Sequence, residues 1–177
     1  MKLIKEQCAP FWGTDEQYGF LSNFYETEIP IDEEVKELFV NCPDNFHSSE
    51  QAYMLLKATY FKDFETAHKI MQSKKPIEAK KLGRQVKNFD TEAWTFVRDK
   101  YMVDALLLKF GDNEELGQKL LDLRGLTLIE ASPSDCVWGI GLEESELIYD
   151  TDNWRGANLL GTCLMYVRDV IYATKFA

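Results

Sequence analysis

The sequence predicts a helix-rich α+β fold with a small sheet. Two observations predict it. Most of the chain reads as helix-cap residues followed by apolar positions three or four apart, and only short stretches have strand composition. The two kinds of segment do not alternate as βαβ units, so the class is α+β rather than α/β.

Taken in order, residues 11–24 are aromatic and punctuated by glycine, and read as loop with a short strand. Glu37-Leu38-Phe39-Val40-Asn41 reads as a strand, followed by a turn through Pro43, Asp44 and Asn45. Ser48 then caps a helix running to about Tyr60, and Ser48 with Gln51 fits a capping box. Asp63 caps a second helix to Gln72. Pro76 suits the first turn of a third, which Gly83 ends. Asp90 caps the longest helix, whose apolar positions Trp94, Val97, Tyr101, Ala105 and Leu108 recur at helical spacing. Asn113 opens a short helix to Leu121. Leu126 to Ala131 is a strand, a long loop follows, and residues 158–172 form the last helix.

At 177 residues the chain has the size of a single domain, here taken as 1–177, and 45 % hydrophobic residues allow a sizeable core. The net charge of −10 disfavours extended nucleic-acid binding but leaves room for a small phosphorylated ligand held by local cations. No stretch has the roughly 20 apolar residues of a membrane span, and the first residues lack a signal-peptide core. A cytoplasmic protein with no membrane partner is expected. Cys8, Cys42, Cys136 and Cys163 are widely spaced and read as reduced thiols. His47 and His68 are the only histidines, in no ligand pattern, so neither a metal site nor a His-based triad is expected.

Ser48-Ser49-Glu50-Gln51-Ala52-Tyr53-Met54-Leu55-Leu56-Lys57 is the segment richest in chemistry. Glu50, Tyr53, Met54 and Lys57 share one helical face, which presents carboxylate, phenol, thioether and ammonium together. The plain alternative is a capped, half-buried helix whose Glu50 answers the helix dipole. The loop Ser132 to Gly141 is the second such segment, with Asp135, Trp138, Gly139 and Gly141 close together. It can be a ligand loop or a turn in which Asp135 caps and Trp138 fills the core. Trp94 reads as core, or as a ring stacked on a base or sugar. Arg84 can fork onto a phosphate or simply sit solvated at a helix end, and Asn158 can cap the last helix or bond a ligand. Asp32-Glu33-Glu34 and Glu143-Glu144 read as solvated faces.

Together these segments resemble the NADAR family, also called YbiA-like, over about residues 11 to 172. The resemblance is carried by Gly19-Phe20-Leu21-Ser22-Asn23-Phe24-Tyr25, by Ser49-Glu50-Gln51-Ala52-Tyr53 with Lys57, and by Ala79-Lys80-Lys81-Leu82-Gly83-Arg84. Trp94 with Arg98 and Met102, Leu107 to Phe110, Glu130-Ala131-Ser132 with Asp135, Trp138-Gly139-Ile140-Gly141 and Asn158-Leu159-Leu160-Gly161 complete it. Their order and combined spacing are what make the match specific. The segment Glu143 to Asn153 is longer and more acidic than in bacterial riboflavin-linked members.

The resemblance implies an N-glycosidase acting on ribosyl–nitrogen bonds, with no cofactor. Some relatives split phosphoribosylated pyrimidine intermediates of early riboflavin synthesis, and others remove ADP-ribose from guanine in DNA. The family's catalytic positions fall on Glu50, Trp94 and Asp135. Lys57 and Arg84 are the best candidates for phosphate or charge partners, and Asn23, Trp138, Gly139 and Asn158 would line the pocket. A small phosphorylated N-riboside is the expected substrate. The competing readings are an ADP-ribosyl-guanine glycohydrolase and a non-catalytic ADP-ribose or nucleotide reader. Retention of both acids speaks against a reader, since binding an anion does not need them.

Overall fold

A computed structural model describes residues 1–176. In chain order the elements are β1 (Cys8–Phe11), β2 (Ile29–Pro30), α1 (Glu33–Lys36), β3 (Asn45–Phe46), α2 (Ser49–Tyr60), α3 (Phe64–Met71), α4 (Pro76–Gly83), α5 (Thr91–Gly111), α6 (Glu114–Leu121), β4 (Thr127–Glu130) and α7 (Leu159–Lys175). The class is α+β, as the sequence predicts. The chain forms two compact units. One is the continuous stretch of residues 23–113, and the other combines residues 1–22 with the chain from Glu114 onward.

The continuous unit is built around α2, which packs against α3, α4 and α5. The predicted caps are in place. Ser48, Asp63 and Asp90 each accept a hydrogen bond from a backbone N–H in the first turn of α2, α3 and α5, and Pro76 opens α4. Each such cap is worth about 1 kcal/mol, enough to fix where a helix of two or three turns begins. The α2–α4 crossing is close because Gly83 has no side chain: a Cβ there would lie 1.9 Å from Met54 Sδ. The buried faces of α2, α3 and α5 supply Ala52, Leu55, Ala58, Ala67, Ile70, Met102, Ala105 and Leu106 to the core. A two-residue antiparallel pair, β2 with β3, closes the entrance to α2.

The predicted strand at Glu37–Asn41 is not a strand. Acids at the first turn and Lys36 at the last favour the short helix α1, and the chain then continues in hydrogen-bonded turns from Val35 to Phe39. Only Phe39 of the apolar run is buried, at 9 % exposed, while Leu38 and Val40 are 75 % and 74 % exposed. Among the described residues no strand pairs with this backbone.

In the second unit β1 and β4 pair in parallel, from Cys8 opposite Thr127 to Phe11 opposite Glu130. α7 packs on β4 and against α6. Arg168 on α7 donates to the carbonyls of Leu123 and Leu126 at 2.7 and 2.9 Å, holding the connection from α6 to β4. Cys8, Ile129, Ile140 and Ile148 form a small buried cluster against Leu3, Leu142, Tyr149 and Trp154. Ile148 thereby anchors the acidic segment 143–153, while Glu143 and Glu144 stay exposed as expected. All four cysteines are free thiols. No helix of the described residues is long and apolar enough to cross a membrane.

Candidate functional site

The predicted site residues fall into two groups, one in each unit. Asn23, Glu50, Lys57, Arg84 and Trp94 belong to the continuous unit; Asp135, Trp138, Gly139 and Asn158 belong to the other.

Glu50 sits in the first turn of α2 and is 5 % exposed. Its turn is held from several sides. The Ser48 hydroxyl accepts from Gln51 N–H at 3.3 Å, and the Gln51 side-chain Oε1 accepts from His47 N–H at 2.9 Å, one residue before the position a capping box would use. The Gln51 amide donates to the Ile70 carbonyl at 2.9 Å, tying α2 to the end of α3. Asn23 is buried and braces the same turn: its carbonyl accepts from Glu50 N–H at 3.1 Å, and its side chain accepts from Ser49 Oγ at 2.9 Å. Asn23 is therefore a support for Glu50, a role its isolated position in the sequence did not signal.

Lys57 lies two turns along the same face, half-buried. Its ammonium donates to the Gly83 carbonyl at 2.8 Å and lies 4.3 Å from the Phe89 ring centroid and 5.9 Å from that of Trp94. It thus closes the C-terminus of α4, where a cation is favoured. Burial pulls the Lys57 pKa below its ordinary value; Glu50 opposes that shift and Arg84 adds to it. Glu50 and Arg84 thus both lie within electrostatic reach of the Lys57 ammonium. The positive end of α2 and the Lys57 ammonium both attract negative charge at Glu50.

Trp94 is 8 % exposed and belongs to an aromatic cluster. It stacks on Tyr101 with ring centroids 5.8 Å apart and planes 13° apart, and it meets Tyr53, Tyr60 and Phe61 at 5.5, 6.1 and 6.0 Å. Core packing is thus a large part of what this indole does, and through Tyr53 and Lys57 it braces the face that carries Glu50. Phe89 escaped the sequence reading because it lies in the loop before α5, outside any periodic segment. Arg84 is exposed at the end of α4.

In the other unit, Asp135 Oδ1 accepts from the N–H groups of Val137 and Trp138 at 2.9 and 2.8 Å. This is the capping turn the sequence allowed, but Trp138 is half-buried rather than plugged into the core. Gly139 permits the loop to fold tightly on itself, since a Cβ there would lie 2.9 Å from the Glu130 carbonyl oxygen. The loop is then laced to the start of α7: Ala157, Asn158 and Leu160 donate to the carbonyls of Cys136, Gly139 and Trp138 at 3.1, 3.2 and 3.1 Å.

Asn158 occupies the N-cap position of α7 with a left-handed backbone, φ +52°, yet its side chain makes no capping bond. Its Oδ1 accepts from Glu130 N–H at 2.9 Å and its Nδ2 donates to the Leu128 carbonyl at 2.9 Å. The amide stands in for a neighbouring strand along the free edge of β4. The expectation of a side-chain cap is corrected accordingly. Among the described residues no three His, Cys, Asp or Glu side chains are grouped to hold a metal ion.

The NADAR domain description matches residues 10–172. N-glycosidase R617 of Acanthamoeba polyphaga mimivirus is 40 % identical over 123 residues, covering 69 % of this chain and 72 % of the relative. The riboflavin biosynthesis protein VVA0006 of Vibrio vulnificus is 30 % identical over 94 % of this chain and 39 % of its own length. The NMR structure of E. coli YbiA superposes with a TM-score of 0.75 at 25 % identity, covering 98 % of this chain and 90 % of that one.

Proposed function

The chain belongs to the NADAR family, and from that premise we propose that it is an N-glycosidase hydrolysing the ribosyl–nitrogen bond of a small phosphorylated N-riboside. The observation that carries the proposal is the buried Glu50 at the N-terminus of α2, on one face with the desolvated Lys57. As the C1–N bond breaks, positive charge builds on the ribose ring. A carboxylate held in a water-poor setting stabilises that charge, or takes a proton from the water that adds to C1, while the departing nitrogen gains a proton. Glu50 is the principal carboxylate in this reading. Trp94 is a positioning residue that sets Tyr53 and Lys57 behind it. The resemblance implies a second catalytic acid at Asp135, whose Oδ1 accepts from the Val137 and Trp138 N–H groups. The name of the Vibrio relative supports a substrate of the riboflavin-intermediate kind.

The test is a panel of phosphoribosylamino-pyrimidines, NAD, ADP-ribose and ADP-ribosylated DNA, with released base or ribose product followed by chromatography at low and physiological ionic strength. The proposal expects small N-ribosides to be cleaved with weak salt dependence. Cleavage confined to ADP-ribosylated DNA and collapsing as salt rises would replace it with the ADP-ribosyl-guanine reading. Tight binding with no product from any member would replace it with a nucleotide reader.

A further inference from the structure

Residues 74–87 carry six of the chain's twenty Lys and Arg residues and a single acid, in a protein of net charge −10. Some of these cations are neutralised. Lys75 pairs with Glu26 at 3.0 Å and Lys87 with Glu65 at 2.7 Å. Lys80, Lys81 and Arg84 are different: no ion pair is recorded for any of them among the described residues. Ile77, Lys80, Lys81 and Arg84 are spaced as one stripe of α4, and with Phe24 they line a groove of about 330 Å³. That volume is at the lower end of small-ligand sites, which run from roughly 300 Å³ upward.

We infer that this groove is a phosphate-binding subsite in which Lys80, Lys81 and Arg84 take the phosphate end of the substrate, with Phe24 and Ile77 as its apolar walls. The inference deepens the N-glycosidase reading and rests on it for the identity of the substrate. Three like charges on adjacent turns repel one another, and an anion seated among them relieves the repulsion. Lys57 is not one of the phosphate ligands here, because its ammonium is engaged by the Gly83 carbonyl and the Phe89 ring. The groove nevertheless adjoins the candidate carboxylate. Its wall residue Phe24 follows Asn23, whose carbonyl accepts from Glu50 N–H at 3.1 Å. A substrate can then be held by its phosphate on α4 with its ribose toward α2. Ile77, 63 % exposed, is an apolar side chain left in solvent until such a ligand covers it.

The experiment is calorimetric titration of the Glu50→Gln variant, which should not turn substrate over, with ribose 5-phosphate, ribose, pyrophosphate and ADP-ribose. Ribose 5-phosphate should bind and ribose should bind far more weakly. Pyrophosphate and ADP-ribose tell whether one phosphate or two are seated. Lys80→Gln, Lys81→Gln and Arg84→Gln should each weaken phosphate-dependent binding by about tenfold, the scale of one charge-assisted hydrogen bond. Lys74→Gln and Lys87→Gln change net charge equally outside the groove and should leave binding within about twofold. Equal losses from both sets would reduce the effect to general electrostatics and overturn the subsite. So would equal affinity for ribose and ribose 5-phosphate, or no binding at all. Because binding is read without hydrolysis, the two readings fail separately. Base release at equal rates from phosphorylated and dephosphorylated N-ribosides would remove the subsite and keep the glycosidase. Phosphate-dependent binding with no base released from any N-riboside by the wild type would do the reverse.

Discussion

Replacing Asn158 by alanine tests whether its amide works as a strand surrogate. The substitution removes an acceptor from Glu130 N–H and a donor from the Leu128 carbonyl, both bonded at 2.9 Å. Asn158 is 3 % exposed, so water does not simply replace the amide. Each buried group left unpaired costs about 1–3 kcal/mol, and placing alanine at φ +52° adds about 1 kcal/mol. A loss of about 3–7 kcal/mol follows, or a fall of roughly 6–28 °C in Tm for a protein of this size. The assay is urea unfolding followed by circular dichroism, run beside Asn158→Gly and Asn158→Asp. Glycine relieves only the backbone strain and should recover about 1 kcal/mol. Aspartate keeps the acceptor for Glu130 N–H but loses the donor, and should fall between wild type and alanine. Asn158→Ala within about 0.5 kcal/mol of wild type would refute the clamp and return Asn158 to the ligand-binding role.

Three further outcomes are expected. Glu50→Gln should retain the fold and lower turnover by well over tenfold, a barrier change above about 1.4 kcal/mol; turnover within about threefold of wild type would make Glu50 a helix-end residue only. Gly83→Ala should destabilise by about 1–2 kcal/mol, because the new Cβ meets Met54 Sδ at 1.9 Å and the better helix propensity of alanine offsets only part of that. The loss should shrink in a Met54→Ala background, and an unchanged loss there would refute the α2–α4 contact as its cause. Lys109 is fully buried on α5, and burial lowers its pKa from 10.5 to about 7. Between those values the unfolded chain holds the extra proton, so stability should rise with pH. Relative to Lys109→Met, the wild type should gain about 1.4 kcal/mol per pH unit from pH 8 to pH 9.5; parallel stability curves for the two proteins would contradict it.

The helices were legible because their starts are written in single side chains. Ser48, Asp63, Asp90 and Pro76 each act on the backbone within one turn, and local chemistry of that range survives in a linear sequence. Of the strands, β4 was legible as Leu126 to Ala131, but the pairing of the strands was not. β2 and β3 are two residues long, and β1 finds its partner only at Thr127–Glu130, a pairing no local pattern announces. The false strand at Glu37–Asn41 fails for the complementary reason: a short apolar run reports composition, not the presence of a backbone to pair with. At the site, helical spacing placed Glu50 and Lys57 on one face. It did not reveal that Lys57 would close α4 or that Asn158 would bond a strand. Both depend on which carbonyls another segment leaves unpaired.

The parallel pairing of β1 with β4 also governs the order of events as the chain is made. Cys8–Phe11 leaves the ribosome before its partner, with buried positions Cys8, Ala9 and Phe11 in need of cover, and Thr127–Glu130 arrives only after the whole of residues 23–113 has been made. The intervening stretch can assemble first, since its helices α2 to α5 are close neighbours in sequence and make contacts of short range. The N-terminal strand must wait as an open edge until Thr127–Glu130 appears, and it is in that interval, rather than in the finished molecule, that this chain is most exposed to pairing with the wrong partner.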